Sequence, residues 1–474
     1  MSRGARAAAA AAAVVAMAAA AAWLLPGRAR PHVVFLLWDT TRADRLDAYG
    51  HGRPTAPWLK SVAAEGVLFE QCRAPSPWTL PSHASIFTGL LPAHHGAANL
   101  ESPLAPSHRT LAERLRDAGY DTILVSNNSL VHPATGIAQG FDRFRDVVRE
   151  RGRHGADLAL ELLREEMSAR RADPERAARP LFLFVNLMEP HLPYDPPEEI
   201  ERPWRPAGTT DAEAAESKAF AFPGDVAHNL GLRRLDAPAI ERLSALYDAE
   251  IRSLDGHSRA IEALLAAEGI LVPGSDSLLV VASDHGENLG EHGLLDHKLS
   301  VSEALLRVPL VIRGRGRFEG GRRVAAQVRL QDLFPTLLAA AGAEAAPAET
   351  PHARLLDAAV GPGLPQVSEF APPVSFLPKV RSLYPNAPES AFEPFRLGLV
   401  AVTAPLEAGR RLKWVRTSRR DAEGRTSDLG EALFDLAADP REERDLLAPG
   451  ARAPADLDAA RRLAALAAEW TAPR

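Results

Sequence analysis

Short, uninterrupted runs of apolar residues constrain what this chain can fold into more than any other feature. Residues 32–38 read HVVFLLW, and residues 122–126, 181–187, 278–283 and 308–312 have the same character. A strand with one wet face alternates apolar with polar residues. A run without alternation needs cover on both faces, as a strand inside a mostly parallel sheet has. The stretches between the runs can supply that cover. Residues 111–118 carry a helical pattern that stops at Gly119, a suitable C-terminal cap. Residues 239–268 put Leu243, Leu246, Ile251 and Leu254 on or near one face of a long helix, and 332–341 read as another. The expected class is α/β, a mostly parallel sheet flanked by helices.

With 474 residues the chain exceeds one small domain and suits a large core with a smaller appendage. Residues 341–378 are rich in Ala, Pro and Glu, so a linker or surface loop is placed at 346–378, after a large domain at 31–345. Residues 395–403 and 411–417 then read as strands and 457–470 as a closing helix, giving a small C-terminal α+β domain at 379–474. At the other end, Arg3 and Arg6 precede an apolar run over residues 7–25. A basic start followed by an apolar stretch describes a secretory signal. The run is also close to the ~20 residues that span a bilayer. Residues 1–30 are therefore expected to be a signal peptide or a membrane anchor. The expected location is periplasmic, extracellular or attached to the outer face of the membrane.

Composition removes two possibilities. The formal net charge is −6 and the Arg-rich stretches are balanced by nearby acids, which argues against nucleic acid as a partner. The single cysteine, Cys72, permits neither an intramolecular disulfide nor a cysteine zinc site, and reads as a small apolar core residue.

In open parallel sheets ligands bind beyond the carboxyl ends of the strands. The first run leads into Asp39, the third into Glu189 and His191, and the fourth into Asp284 and His285. Any one of these could be a helix cap or a turn residue, but together they deliver carboxylates and imidazoles to one edge. Asp and His supply the oxygen and nitrogen ligands of a divalent cation. Gly286 lets the backbone turn away after the pair. Residues 76–89, SPWTLPSHASIFTG, add a hydroxyl. Pro81 fits a first helical position, which puts Thr79 at a helix N-terminus where an anion is favoured. A hydroxyl there, beside a metal, can attack phosphorus or sulfur. From pattern alone Thr79 reads at least as well as a plain helix cap.

Seven segments in order, WDTTRADRLDAYG, SPWTLPSHASIFTGLLPAHHG, MEPHLPYDPP, ASDHGENLGEHG, SEALLRVPLVIRG, DLFPTLLAAAG and LFDLAADPREERDLL, resemble the landmarks of the sulfatase family in the alkaline phosphatase superfamily. They extend over residues 31–447. The resemblance implies an alkaline phosphatase-like core, a small C-terminal domain and one divalent ion, whether calcium, manganese or zinc. It implies Asp39, Asp284 and His285 as metal ligands, with Thr79 as nucleophile and a further ligand. His191 matches the histidine that contacts the transferred group or leaving oxygen. Lys298 matches the lysine that holds substrate oxygens, with the adjacent His297 as the alternative. The implied substrates are sulfate or phosphate esters of a small molecule, a glycan or a lipid.

Three departures qualify the resemblance. Sulfatases carry Cys or Ser in Cys/Ser-x-Pro-x-Arg and oxidise it to formylglycine, whereas this chain has Thr79-Leu80-Pro81-Ser82-His83. Oxidised threonine would be a ketone rather than the aldehyde. Thr40 stands where many sulfatases place another metal aspartate, which makes the site less suited to calcium. His83 replaces the motif arginine and removes a bidentate donor, though it remains a candidate contact for substrate oxygens. A threonine nucleophile resembles the phosphodiesterase and phosphoglycerol-transferase relatives, so phosphate-type esters are favoured. A transferase and a non-catalytic cell-surface binding protein are the alternatives.

Overall fold

The apolar runs are the central strands of the large sheet in the computed structural model, which describes residues 30–147, 155–343, 350–356, 363–405, 409–421 and 423–473. The leader expected over residues 7–25 lies outside these. Among the described residues no helix is long and apolar enough to cross a membrane.

In chain order the strands are β1 (Val33–Trp38), β2 (Val67–Arg73), β3 (Asp121–Ser126), β4 (Arg143–Asp146), β5 (Leu181–Leu187) and β6 (Leu278–Ala282). A short ribbon of β7 (Asn288–Leu289) and β8 (Leu295–Asp296) follows, then β9 (Arg307–Val308), β10 (Leu310–Arg313) and β11 (Arg322–Arg329). The large sheet has the order β11-β2-β10-β6-β1-β5-β3-β4, with β9 paired to β2. Its centre, β6-β1-β5-β3, is parallel, whereas β10 runs antiparallel to both β6 and β2.

Period-two alternation sorts the central side chains into two cores. Phe35, Phe184 and Val280 face a cluster that includes the helices Thr79–Thr88, Leu111–Asp117 and Leu333–Ala340. Leu36, Val185 and Val281 face the other, which includes Pro57–Glu65, Gly155–Ala172 and Ala237–Ala267. Cys72 is fully buried in the first cluster, where burial pushes its thiol up. The run at 308–312 is not one strand, because Pro309 separates β9 from β10 and has no N–H to continue a ladder.

A second, antiparallel sheet has the order β12 (Gln366–Phe370), β13 (Leu397–Pro405), β14 (Arg411–Arg420) and β15 (Thr426–Asp435). Trp414, Leu433, Leu463 and Ala467 pack it against the closing helix Pro454–Trp470. The sheet begins inside the stretch expected to be linker, because β12 lies within 346–378. This strand has work beyond its own sheet. The Glu369 N–H donates to Pro75 O at 2.9 Å, Ser368 Oγ donates to Ala74 O at 2.6 Å, and Ser76 Oγ donates to Glu369 O at 2.9 Å. The segment leading to Thr79 is thus laced to β12.

A buried ion network joins the same regions. Arg73 Nη2 lies 2.8 Å from Glu303 Oε2, and fully buried Lys413 on β14 lies 2.7 Å from Glu442 Oε1 and 3.7 Å from Glu303 Oε1. Removing one member of such a network strands its partners. Lys413→Met is expected to lower unfolding free energy by about 3–5 kcal/mol, read as a lower midpoint in urea denaturation.

Candidate active site

The strand register brings the site together. β1 pairs with β6 so that Leu37 faces Ala282. Continued by two residues, the same register sets Asp39 beside Asp284. The Asp39 N–H also donates to Leu187 O at 2.9 Å, which ties the end of β1 to the end of β5. Both aspartates and His285 are fully buried.

Hydrogen bonds leave one oxygen of each carboxylate facing the middle. Asp39 Oδ2 accepts from Asn128 Nδ2 at 2.6 Å and from Asn186 Nδ2 at 3.4 Å, and its Oδ1 has no hydrogen-bond partner. Asp284 Oδ1 accepts from the backbone N–H groups of His285 at 3.0 Å and Thr40 at 3.4 Å. Asp284 Oδ2 has no hydrogen bond and lies 3.3 Å from His285 Nε2. His285 Nδ1 lies 3.0 Å from Gly286 O, so Nδ1–H donates there and Nε2 offers a lone pair to the site. Asp39, Asp284 and His285 each offer a ligand atom within 4.8 Å of the others. Two orphaned carboxylate oxygens and an imidazole lone pair fit a divalent cation.

The electrostatics point the same way. Burial, then the neighbouring Asp284, raises the Asp39 carboxyl. Burial also opposes the charge on Asp284, but His285 and His83 hold that carboxyl below its usual range. The two like groups are driven apart because both cannot sit charged and dry without a cation between them.

Thr79 is the first residue of its helix, not the cap; Trp78 is the cap residue and makes no side-chain cap. The helix starts two residues earlier than expected, leaving Pro81 in the third position. A missing N–H is harmless there because the first turn has no intrahelical acceptors. Thr79 is 2% exposed, and Oγ1 lies 3.4 Å from His285 Nε2. His83, one turn on, is buried with Nδ1 3.0 Å from Thr79 O and 3.3 Å from Asp284 Oδ2. Burial disfavours its charge, but Asp284 outweighs this and raises the imidazole. Ser82 Oγ donates to Asp284 O at 2.7 Å and locks the helix to the strand end.

The remaining expected residues fall on the same side with different partners. His191 Nδ1 donates to Leu192 O at 2.6 Å, and its ring centroid is 4.9 Å from that of His297. The His297 ring is in turn 4.8 Å from that of His285, so His297 bridges the two. Burial pushes the His297 imidazole down to about 3, against the pull of Asp296. Lys298 is held by Asp296 and by Asp225, the latter at 3.1 Å. Burial opposes its charge, but these carboxylates raise the ammonium above its ordinary value. Of the adjacent pair, His297 is therefore the one in ring contact with the histidines, while Lys298 is bound to carboxylates.

Thr40 is not among the grouped ligands. It sits at φ 56°, a left-handed conformation rarely taken by a β-branched residue, with its carbonyl accepting from Tyr247 Oη at 2.7 Å. Gly286 is required for space rather than for freedom of turn: a Cβ there would sit 1.9 Å from Ala304 O. Sequence reasoning missed Asn128 and Asn186, whose one legible signal is an amide inside or just after an apolar run.

The sequence profile described as Sulfatase matches residues 31–343. An arylsulfatase of Clostridium perfringens is 25% identical over 376 residues, covering 65% of this chain and 74% of that protein. The multifunctional alkaline phosphatase superfamily protein PehA of Trinickia caryophylli is 26% identical over 391 residues, covering 66% and 74%. Among solved structures, a phosphonate monoester hydrolase of Agrobacterium radiobacter superposes with a TM-score of 0.66 at 21% identity, covering 93% of this chain and 96% of that one. The fold is alkaline phosphatase-like.

If the Asp39–Asp284 pair is relieved by a cation, Asp39→Asn has opposite effects with and without metal. Stripped Asp39→Asn protein is expected to melt a few degrees above stripped wild type. On adding manganese its gain in Tm is expected to be smaller than that of wild type, a crossing readable by differential scanning calorimetry.

Proposed function

As this chain belongs to the sulfatase family and is a hydrolase of sulfate or phosphate ester bonds, we propose that Thr79 is its nucleophile and that phosphorus esters are its favoured substrates. The observation that carries this reading is the placement of Thr79 Oγ1 at a helix N-terminus, 3.4 Å from His285 Nε2. A small-molecule or glycan ester is the proposed substrate class.

Asp39, Asp284 and His285, with Thr79 as a further ligand, would hold the divalent ion. With an imidazole among the ligands and threonine at position 40, manganese or zinc suits this set better than calcium. When bound, the ion supplies Lewis-acid chemistry, lowering the energy of a threonine alkoxide and polarising a substrate oxygen.

The residues themselves account for the rest. The free N–H groups of the first turn favour the anionic ester beside Thr79. Thr79 Oγ1 gives up its proton to solvent and attacks phosphorus as the bond to the leaving alcohol oxygen breaks. His191 has Nδ1–H committed to Leu192 O; acting as the imidazolium, it gives the proton on Nε2 to that oxygen. Lys298 and His83 contribute positive charge against the oxygens of the transferred group. Water then hydrolyses the phosphothreonine. A sulfothreonine lacks the second hydroxyl by which formylglycine hydrate expels sulfate, hence the preference for phosphorus. The basic, apolar N-terminal segment supports an exported protein.

Thr79→Ala is expected to lower kcat/KM on an aryl phosphodiester or phosphonate by at least ~10³-fold, with unchanged circular dichroism. Substantial turnover by Thr79→Ala would falsify the nucleophile. Faster Thr79-dependent cleavage of an aryl sulfate than of any phosphorus ester would reverse the preference.

A further inference from the structure

A second cluster of ligating side chains adjoins the first and is not used by the chemistry above. β7 and β8 pair as a two-stranded ribbon, with Asn288 opposite Asp296 and Asn288 Nδ2 donating to Asp296 O at 2.7 Å. Closing that ribbon brings Glu287, just before it, beside Asp296 and His297 at its far end. Glu287, Asp296 and His297 each present a ligand atom within 4.8 Å of the others. Glu287 is fully buried and Asp296 is 4% exposed.

Neither oxygen of the Glu287 carboxylate has a hydrogen-bond partner. The Tyr194 and Thr40 hydroxyls face it. The ammonium beside it among the described residues is already shared, since Lys298 Nζ is bound to Asp225 and Asp296. Three carboxylates, Asp225, Glu287 and Asp296, thus meet one fixed positive charge, and Glu287 is the member left without it. His297 Nδ1 likewise makes no hydrogen bond and faces Asp296 Oδ1. A buried carboxylate with no cation of its own is the situation that cation binding relieves.

We infer that Glu287, Asp296 and His297 hold a second divalent cation next to the one at Asp39, Asp284 and His285. Two carboxylate oxygens and one imidazole nitrogen suit manganese or zinc, and three protein ligands leave positions for water or a substrate oxygen. The contact of the His297 and His285 rings, 4.8 Å between centroids, puts the two clusters side by side. The three proposed ligands take no part in the Thr79 chemistry, so either reading can fail without the other.

The test counts ions. Full-length protein is stripped with a chelator, reloaded with manganese alone, dialysed and analysed for metal per chain, and the series is repeated with zinc. Two ions are expected in wild type and in Thr79→Ser, one in Glu287→Gln, one in Asp39→Asn and none in the double variant. Electron paramagnetic resonance of the manganese form gives an independent reading: a spin-coupled pair in wild type, isolated ions in Glu287→Gln. Circular dichroism checks each variant, and His297→Ala replaces Glu287→Gln should the latter not fold. A wild-type count of one that Glu287→Gln and His297→Ala leave unchanged overturns the second site. So does a count of two in wild type and in both of these variants.

Discussion

Two carboxylates at the ends of hydrogen-bonded neighbouring strands create the problem that the surrounding structure answers. β1 and β6 pair in a register that leaves no choice about where Asp39 and Asp284 arrive. Both are out of water, where like charges repel strongly and lose their hydration. Each neighbour can be understood as a reply. Asn128 and Asn186 donate to one oxygen of Asp39, and backbone N–H groups donate to one oxygen of Asp284. The Thr79–Thr88 helix points its positive end at the edge, and His83 and Ser82 anchor it to Asp284. What remains is one bare oxygen on each side and an imidazole lone pair between them.

The replacement of the motif arginine by His83 takes a different meaning in this setting. A guanidinium would reach outward with several donors. His83 is fully buried, and its Nδ1–H is taken by Thr79 O with Asp284 Oδ2 nearby at 3.3 Å, leaving Nε2 without a partner. Its first effect is on the shape of the helix start and on the charge of Asp284. Any contact with an ester oxygen comes from that one remaining nitrogen.

The centre of the fold and the strand-end residues of the site were legible for one reason: β1, β3, β5 and β6 are buried on both faces, so their sequences are unbroken. The flanks were not. β2 reads VLFEQCR and β11 RRVAAQVR, and each puts charges among its apolar positions where the sheet meets solvent or buried ion pairs. β15 reads TSDLGEALFD and is largely exposed, so almost no pattern survives. β12 was hidden by the Pro-rich stretches around it. Within the site, Asp39, Asp284 and His285 announce themselves by position, but Asn128 and Asn186 matter only through contact with a side chain on another strand. Nor could sequence separate His297 from Lys298. That depends on where Asp225, far away in the chain, places its carboxylate.

The lacing of β12 to residues 74–76 also bears on the order in which the protein becomes functional during synthesis. A nascent chain that has emerged as far as residue 343 contains every residue of both clusters proposed to hold metal, together with Thr79 and its helix. It still lacks Ser368 and Glu369, which hold the approach to that helix, and Lys413, which answers the charge of Glu303. The large sheet can assemble while the ribosome is still working, but the segment carrying the hydroxyl acquires its last tethers only when the second sheet arrives. The C-terminal strands thus act as a late fastening on a helix start encoded some three hundred residues earlier.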